Sequence, residues 1–353
     1  MRQVHEGSPP QEPTRRVLIV DDSAFIRGVV SRIVAADPSL EVAGTARDGQ
    51  QAVEKAIELR PDVITMDVEM PVSSGIEATR RIMALRPVPI VMLSSLTRSG
   101  AQPTIDALAA GAVDFVTKPT GLASRELASL QDTVLQKIHS ALLTRPRAPQ
   151  PPVADGQSSS SESSDGSGWT VVVGSSTGGP AALVEMFSRI GATGARIAVV
   201  QHMPEGFTHS LAARLDRCSA IHVCEATAGE VLQAGTAYIA PGGRHMRITS
   251  ELRVALDGGA PLHGVRPAVD VLFESAARWA GPRILGVILT GMGIDGARGM
   301  ALVKDAGGRT LVEDESTCVV PGMPRAALAL GVVDAKAPIT AMASAIRQVI
   351  CRG

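Results

Sequence analysis

Apolar positions along the first 144 residues alternate between short continuous runs and a helical spacing. The run at 17–20 predicts a buried strand, and the apolar residues after it recur on one face of a helix. The same unit then repeats. Its predicted strands are Val17–Val20, Glu41–Ala46, Val63–Met66, Ile90–Leu93 and Asp114–Thr117. Strands alternating with helices predict an α/β fold, here a doubly wound parallel sheet of five strands.

The second half shows the same alternation from about residue 169. Its predicted strands are Thr170–Val173, Ile197–Gln201, His222–Ala226, Ala237–Ala240, Ile284–Thr290 and Thr310–Glu313. Its predicted helices are Pro180–Arg189, Phe207–Arg217, Val269–Ala280, Gly296–Ala306 and Ala341–Ile350. Two further runs, His245–Thr249 and Leu252–Leu256, predict a hairpin. We therefore expect a second α/β doubly wound sheet, mostly parallel, with an antiparallel hairpin at its edge.

A segment of different composition separates the halves. Residues 145–168 are rich in Pro and then in Ser, Gly and Asp, so they cannot bury a core. They predict a linker. The predicted organisation is therefore a disordered tail at 1–14, a first domain at 15–144, the linker, and a second domain at 169–353.

Composition narrows the functional classes. From residue 169 onward the chain has 17 basic and 15 acidic residues, which disfavours a DNA-binding output domain and hence a transcriptional regulator. Four cysteines without a C-x-x-C pair indicate reduced thiols. No apolar run reaches the roughly 18 residues of a membrane span, and the N-terminus is unlike a signal peptide. We expect a cytoplasmic protein that is not membrane-inserted and binds no nucleic acid.

Polar side chains follow the strands of the first domain where each strand ends. Asp21 and Asp22 follow the first strand, Asp67 the third, Ser94 ends the fourth, and Lys118 follows the fifth. Carboxyl ends of parallel strands meet at one rim, so these groups should converge. Three carboxylates there predict a Mg²⁺ site, with a lysine to neutralise a transferred phosphoryl group. Each aspartate alone is more simply a helix cap, and only the convergence favours a site.

Three segments carry a resemblance: VLIVDDSAFIR, PDVITMDVEMP and DFVTKP. They resemble the receiver domain of two-component response regulators, over about residues 16–143. The resemblance implies a flavodoxin-like fold that is phosphorylated on one aspartate by a sensor histidine kinase. The implied roles are the phospho-acceptor (Asp67), Mg²⁺ ligands (Asp21, Asp22, Asp67 and the backbone carbonyl of Glu69), a phosphoryl contact (Lys118) and a switch pair (Ser94 and Phe115). Val72-Ser73-Ser74 departs from the charged segment usual there, which bears on kinase choice.

A glycine-rich turn follows the first strand of the second domain. Gly174–Gly178 fits G-x-S-x-G with Ser176 at its centre, between a predicted strand and helix. That setting exposes a serine nucleophile, and the helix N-terminus offers N–H groups to an oxyanion. A dinucleotide-binding loop, as in a nucleotide-dependent oxidoreductase, would need glycine at position 176. From this motif alone an ordinary glycine-rich connection stays open.

A serine nucleophile needs a base, and the base needs an orienting carboxylate. His202 follows the second strand of this domain, and Asp295 lies just past the strand at 284–290. Both are therefore expected at the same rim as Ser176. Asp295 also fits a helix N-cap, which does not exclude the catalytic role. The other histidines of this half have a structural interpretation.

Six segments closely resemble the chemotaxis-type protein-glutamate methylesterases, the CheB family: GSSTGGP, QHMPEGFT, AYIAPGGRHM, RPAVDVLF, LTGMGIDGA and CVVPGMPRAAL. The resemblance runs from about residue 171 to the end. It implies Ser176 as nucleophile, His202 as general base and Asp295 as its orienting group. It also implies that Thr177 and Met292 line the site, with the Met292 N–H as an oxyanion donor and no cofactor in this domain.

The resemblance also implies an activity and its partners. The substrate would be the γ-methyl ester of glutamate on methyl-accepting chemoreceptors, and specific glutamines would be deamidated. A chemotaxis-type kinase would supply the phosphoryl group, and the unphosphorylated receiver would pack over the Ser176 cleft. Ile294 stands where the family usually has asparagine, a departure that bears on the Asp295 loop. A catalytically inactive signalling adaptor of the same fold is the alternative.

Overall fold

The structure is a computed structural model that describes residues 13–95, 98–118, 124–144 and 166–352. The predicted tail lies outside these residues except for 13–14. The predicted linker lies outside them except for 166–168. Within the described ranges, every helix is too short or too polar to cross a membrane.

The first sheet has five strands. Its interior strands are largely buried because helices cover both faces, whereas the edge strand at 40–46 is partly exposed. The strands are β1 (Arg15–Val20), β2 (Leu40–Ala46), β3 (Val63–Asp67), β4 (Ile90–Ser94) and β5 (Asp114–Thr117). The helices are α1 (Ala24–Ala35), α2 (Gly49–Leu59), α3 (Gly75–Leu85), α4 (Arg98–Ala109) and α5 (Ser124–Leu142). All pairs are parallel, in the order β2-β1-β3-β4-β5. The doubly wound sheet is confirmed, and its order turns beside β1 and β3, where a site is expected.

The second sheet has seven described strands. They are β6 (Thr170–Ser175), β7 (Arg196–Gln201), β8 (His222–Glu225), β9 (Thr236–Ile239), β12 (Ile284–Ile288), β13 (Arg309–Glu313) and β14 (Ala335–Ala337), with the hairpin strands β10 (His245–Ile248) and β11 (Val254–Asp257) between β9 and β12. The helices are α6 (Gly179–Phe187), α7 (Phe207–Cys218), α8 (Val269–Ala280), α9 (Ala297–Asp305), α10 (Gly322–Ala329) and α11 (Ile339–Arg352). The order is β14-β13-β12-β6-β7-β9-β8.

The hairpin is confirmed, but the prediction that it forms an antiparallel edge of this sheet is wrong. β10 and β11 form a sheet of their own, and every described pair of the seven-stranded sheet is parallel. The hairpin packs on α8 instead, where Ile248 N donates to Ser275 Oγ at 3.0 Å. The pattern also missed α10 and β14. α10 begins with Gly-Met-Pro, a sequence typical of a turn. β14 has three residues, too few to show the alternation of a strand.

The apolar core continues from the first domain into the second. Phe115 on β5 lies against Phe207 on α7, with ring centroids 4.6 Å apart. Ile105 and Leu108 of α4 belong to the same buried cluster. At the edge of this contact Arg214 Nη1 lies 3.2 Å from Asp106 Oδ1. The receiver-like sheet thus packs through β5 and α4 against the helices of the second domain.

Candidate active site

Ser176 lies in the turn between β6 and α6, at the carboxyl end of the second sheet. Its side chain is nearly buried, with the residue 8% exposed. Its backbone N donates to Thr290 O at 3.0 Å, and its carbonyl accepts from Gln201 Nε2 at 2.9 Å. Gly178 follows with φ +79, and an added Cβ there would lie 2.5 Å from Val319. The turn therefore requires glycine both for its conformation and for space.

His202 and Asp295 form a hydrogen-bonded pair beside this turn. His202 directly follows β7, and its Nε2 lies 2.8 Å from Asp295 Oδ2. Asp295 is buried and His202 is largely buried, with side chains 3% and 9% exposed. Because Nε2 faces the carboxylate, Nδ1 is the ring nitrogen that remains to accept a proton. A carboxylate on one ring nitrogen fixes the tautomer and orientation of the other.

The Asp295 carboxylate also caps the N-terminus of a helix, which is α8 and not the following helix α9. Its Oδ2 accepts from Val269 N at 2.7 Å and its Oδ1 from Asp270 N at 2.9 Å, the first two residues of α8. Burial pushes the pKa of this carboxyl upward. The hydrogen bonds from His202 and from the two backbone N–H groups outweigh burial, so the pKa lies below its ordinary value. Asp295 is therefore held as a carboxylate, ready to stabilise a protonated His202.

The predicted site residues of the second domain lie around one cleft of about 440 Å³ between the domains. They are Ser176, Thr177, His202, Met292 and Asp295. Residues of the first domain form the facing wall, among them Asp114, Phe115, Gln136 and Lys137. The cleft is thus shared by both domains, and its Ser176 wall faces the receiver-like domain.

Side-chain polar contacts join the walls of the cleft. Thr177 Oγ1 donates to Asp114 Oδ2 at 2.5 Å, and the same oxygen lies 2.6 Å from Lys137 Nζ. Ser140 Oγ lies 2.8 Å from the Met292 sulfur. On the second-domain side, Thr177 follows Ser176 and Met292 lies in the loop that leads to Asp295. Movement of β5 or α5 would therefore change contacts made directly beside Ser176 and in the Asp295 loop.

The acidic residues of the first domain converge as their positions predict. Carboxylate oxygens of Asp21, Asp22 and Asp67 lie within 4.8 Å of one another. Lys118 Nζ lies 2.8 Å from Asp21 Oδ2 and 2.8 Å from Asp67 Oδ1. Two of these carboxylates are buried, and one ammonium group neutralises only part of their charge. An all-oxygen donor set of this kind fits a hard cation such as Mg²⁺.

Asp67 is electrostatically unusual. Burial raises its pKa to about 6, the Lys118 hydrogen bond and charge lower it, and the Asp21 charge raises it further. Burial also opposes the charged form of Lys118, but its bonds to the two aspartates raise its pKa overall. A buried carboxylate beside a cation and a rim open to solvent can accept a phosphoryl group.

The two predicted switch residues lie on β4 and β5 and contact α4 and the second domain. Ser94 Oγ lies 2.6 Å from Thr104 Oγ1 on α4 and is buried. Phe115 is buried against Phe207 of the second domain. Glu69 lies two residues after Asp67, in the loop that follows β3. The structure therefore links the acidic rim to the interface through the ends of β4 and β5.

The sequence analysis missed residues that hold the serine turn in place. Gln201 Oε1 accepts from Ser175 Oγ at 2.7 Å, and its Nε2 binds the Ser176 carbonyl. Thr290 Oγ1 lies 3.0 Å from Thr177 O. Beside Asp295, His263 Nε2 lies 2.9 Å from Asp270 Oδ2. A polar residue ending an apolar strand was the available signal for Gln201 and Thr290.

Fold and site together define a class: a receiver-type acidic sheet joined to an α/β domain with a Ser-His-Asp constellation. Residues 17–129 match the family described as response regulator receiver domain, and residues 171–346 match CheB methylesterase. A protein-glutamate methylesterase/protein-glutamine glutaminase of Symbiobacterium thermophilum is 49% identical over 96% of this chain and 98% of its own. One of the same name from Geobacillus kaustophilus is 47% identical over 96% and 99%.

Among solved structures, the Thermotoga maritima CheB methylesterase catalytic domain is 42% identical, covering 52% of this chain and 98% of that one, with a TM-score of 0.49. The relatives match nearly end to end, through both domains. The chain belongs to the CheB family of two-domain response regulators.

Proposed function

We propose that the chain is a phosphorylation-controlled serine hydrolase that demethylates glutamate γ-methyl esters on chemoreceptors and deamidates specific glutamines. The observation that carries the proposal is the 2.8 Å pair of His202 and Asp295 in one cleft with Ser176. The relatives' printed names supply the substrate class. The proposed domain boundaries are 15–144 and 169–353, joined by the linker, and the proposed location is the cytoplasm.

Acylation begins at the serine. Ser176 Oγ attacks the γ-carbonyl carbon of the ester while His202 Nδ1 takes its proton. Asp295 stabilises the imidazolium through Nε2. The tetrahedral intermediate then collapses, the bond from carbon to the methoxy oxygen breaks, and His202 returns the proton to that oxygen. Methanol leaves, and Ser176 carries the glutamyl acyl group.

Deacylation uses the same groups, with water as the nucleophile and the Ser176 oxygen as the leaving group. A water molecule attacks the acyl carbonyl as His202 Nδ1 removes its proton, and the Ser176 oxygen leaves with that proton. The product is a free glutamate carboxylate. With glutamine as substrate, the leaving group is ammonia and every other step is unchanged. No step in this domain draws on a cofactor.

The oxyanion of each tetrahedral intermediate needs N–H donors. The proposed donor is the Met292 backbone N–H, in the loop after β12 that also lines the cleft. Thr177, which follows the nucleophile, lines the same wall. The start of α6 directs its positive dipole end toward the turn. Preorganised donors of this kind contribute about 10² to 10³ in kcat each.

Regulation is proposed to act through the receiver-like domain, which forms the wall facing Ser176. Asp67 would accept the phosphoryl group from a chemotaxis-type sensor kinase, with Asp21, Asp22, Asp67 and the Glu69 carbonyl holding Mg²⁺. Bound Mg²⁺ would neutralise charge on the transferred phosphoryl oxygens. Lys118 would contact the phosphoryl group once Asp67 is modified. That would draw Ser94 and Phe115 inward and loosen the contact with Phe207.

The test is methanol release from methylated receptor membranes. Wild type, Ser176→Ala and Asp67→Asn are compared with and without acetyl phosphate and Mg²⁺. Release by wild type that the phosphodonor increases supports both halves of the proposal. Ser176→Ala should release none, and Asp67→Asn should keep only the basal rate. Release that persists in Ser176→Ala would contradict the serine mechanism, and an inactive wild type would favour a signalling adaptor.

A further inference from the structure

Thr290 holds the Ser176 turn in place through hydrogen bonds of its carbonyl and hydroxyl groups. Its carbonyl accepts from Ser176 N at 3.0 Å, and its hydroxyl lies 3.0 Å from Thr177 O. The same hydroxyl accepts from Val320 N at 2.9 Å, which ties the turn to the loop before α10. The next residue, Gly291, packs so closely that an added Cβ would lie 2.8 Å from Ser176 Cβ. Small shifts of Thr290 therefore displace the serine.

Glu313 in turn holds Thr290 in place, by accepting a hydrogen bond from its backbone N–H. It ends β13, is 1% exposed, and its Oε2 accepts from Thr290 N at 2.8 Å. Among the described residues, no lysine, arginine or histidine nitrogen lies within 4.0 Å of its carboxyl group. A buried carboxylate without a cation is costly, so the carboxyl group is expected to be neutral.

The hydrogen bonds around Glu313 suit a neutral acid. Its Oε1 lies 3.0 Å from Thr317 Oγ1, which accepts from Ile339 N at 3.0 Å. Thr317 Oγ1 can donate to Asp314 O at 3.2 Å. A protonated Oε1 can therefore donate to the Thr317 hydroxyl while that hydroxyl donates onward. Every group then has a partner, with Oε2 left to accept from Thr290 N.

We infer that Glu313 is a positioning residue for the proposed hydrolase reaction: as a neutral carboxylic acid it fixes Thr290 and thereby the Ser176 turn. The inference rests on the proposed function for its reaction. It adds a residue that touches neither substrate nor the triad. Glutamine has nearly the same shape, with an oxygen that can accept from Thr290 N and an NH2 group that can donate to Thr317, so it should replace Glu313.

The charged neighbours agree with this state. Burial raises the pKa of Glu313 to about 7, and the Asp314 charge adds to the rise against the bonds from Thr290 and Thr317. The nearby cations are engaged elsewhere. Lys336 Nζ lies 3.6 Å from Asp314, and Arg325 lies 2.7 Å from Glu315.

The sign of the pH effect follows. The folded-state pKa of about 7 lies above the ordinary value of 4.5, so folding favours the protonated form. The stabilisation is complete below about pH 4.5 and is lost as pH rises through about 7. Glu313→Gln cannot ionise and should not lose it. The ratio of Glu313→Gln to wild type, in kcat and in thermal midpoint, should therefore rise across neutral pH.

The experiment compares wild type, Glu313→Gln, Glu313→Leu and the matched control Glu315→Gln, as full chains with acetyl phosphate and Mg²⁺. Three quantities are measured from pH 6 to 9: kcat and KM for methanol release, the labelling rate of Ser176 by a fluorophosphonate, and the thermal midpoint. Glu313→Leu should lower kcat and labelling by about 100-fold at unchanged KM, since misplaced catalytic groups cost about that much. Glu313→Gln should retain activity at pH 6.

The outcomes are separable. If Glu313→Leu matches wild type, or Glu313→Gln is as slow as Glu313→Leu at pH 6, the positioning role is wrong. If Glu313→Leu does not fold, the pH dependence of Glu313→Gln decides, and a ratio that stays flat overturns the inference. If wild type releases no methanol but its serine is labelled, the proposed substrate fails while the labelling rates still test Glu313. An unlabelled serine overturns both.

Discussion

Thr177 Oγ1 donates a 2.5 Å hydrogen bond to Asp114 Oδ2, so the residue after the nucleophile is bonded to the first residue of β5. The carboxylate is also held by Lys137 at 2.6 Å, which fixes its orientation. The two residues are 63 positions apart and belong to different domains. The contact places an acidic side chain of the receiver directly beside Ser176, where the proposed substrate must enter.

Removing this carboxylate should open the cleft. Asp114→Ala is expected to raise methanol release by the unphosphorylated chain by about tenfold, since a hydrogen bond to a charged group is worth about 1.5–3 kcal/mol. The rate with acetyl phosphate should change little, because the contact is then already broken. Glu54→Gln, an exposed carboxylate on α2, is the matched control and should behave as wild type. Equal basal rates in all three would exclude a latch at Asp114.

The ion pair of Asp106 and Arg214 offers a second, smaller test of the closed form. Arg214→Glu replaces the attraction across this 3.2 Å ion pair with repulsion between two like charges at the edge of the interface. It should raise the basal rate by no more than about fivefold, because partly exposed pairs contribute about 0.2–1 kcal/mol. The double variant Asp106→Arg with Arg214→Glu restores the attraction and should return the rate to wild type. A double variant that stays fast would mean that the pair does not hold the domains.

Asp295 should act on kcat far more than on binding. Asp295→Asn removes the charge that stabilises a protonated His202, so kcat should fall by up to about 10⁴-fold at unchanged KM. Asp257→Asn, on the hairpin and paired with Arg247, is the control and should keep its activity. The measurement is steady-state methanol release, with circular dichroism to show that both variants fold. A tenfold or smaller loss would point to another orienting group.

Gly291 tests how closely the oxyanion loop must approach the serine. In Gly291→Ala the new Cβ would lie 2.2 Å from the Met323 sulfur and 2.8 Å from Ser176 Cβ. The methionine can move, but the serine turn cannot without losing its alignment. We expect kcat to fall by about 100-fold, with a smaller effect on the thermal midpoint. Gly258→Ala, which meets open space, is the matched control.

Local patterns were enough to predict most elements and much of the site. β5 and α8 begin and end where the apolar spacing places them. The convergence of Asp21, Asp67 and Lys118 followed from their positions at strand ends, because parallel strands bring those ends to one rim. The hairpin was found, but its place in the fold was not. Its sheet membership depends on packing against α8, which strand periodicity does not encode.

The site residues that escaped the sequence analysis are those whose role depends on a distant partner. In the sequence Glu313 is an ordinary strand end. Only the fold shows that its carboxyl group accepts a hydrogen bond from the backbone N–H of Thr290, 23 positions away. Gln201 is similar, since its bonds to the Ser176 turn cross from β7 to β6. Neither residue type at such a position is diagnostic by itself.

By itself, the sequence determined the two α/β domains, the family and the identity of the proposed nucleophile, base and acid, because spacing and strand-end position are properties of the chain. Tertiary structure alone decided which nitrogen of His202 faces Asp295, what buries Glu313, and that Asp114 reaches Thr177. These depend on side chains brought together by packing across two sheets. Distances of 2.5–3 Å between residues far apart in the chain are set by the whole folded core, not by any local segment.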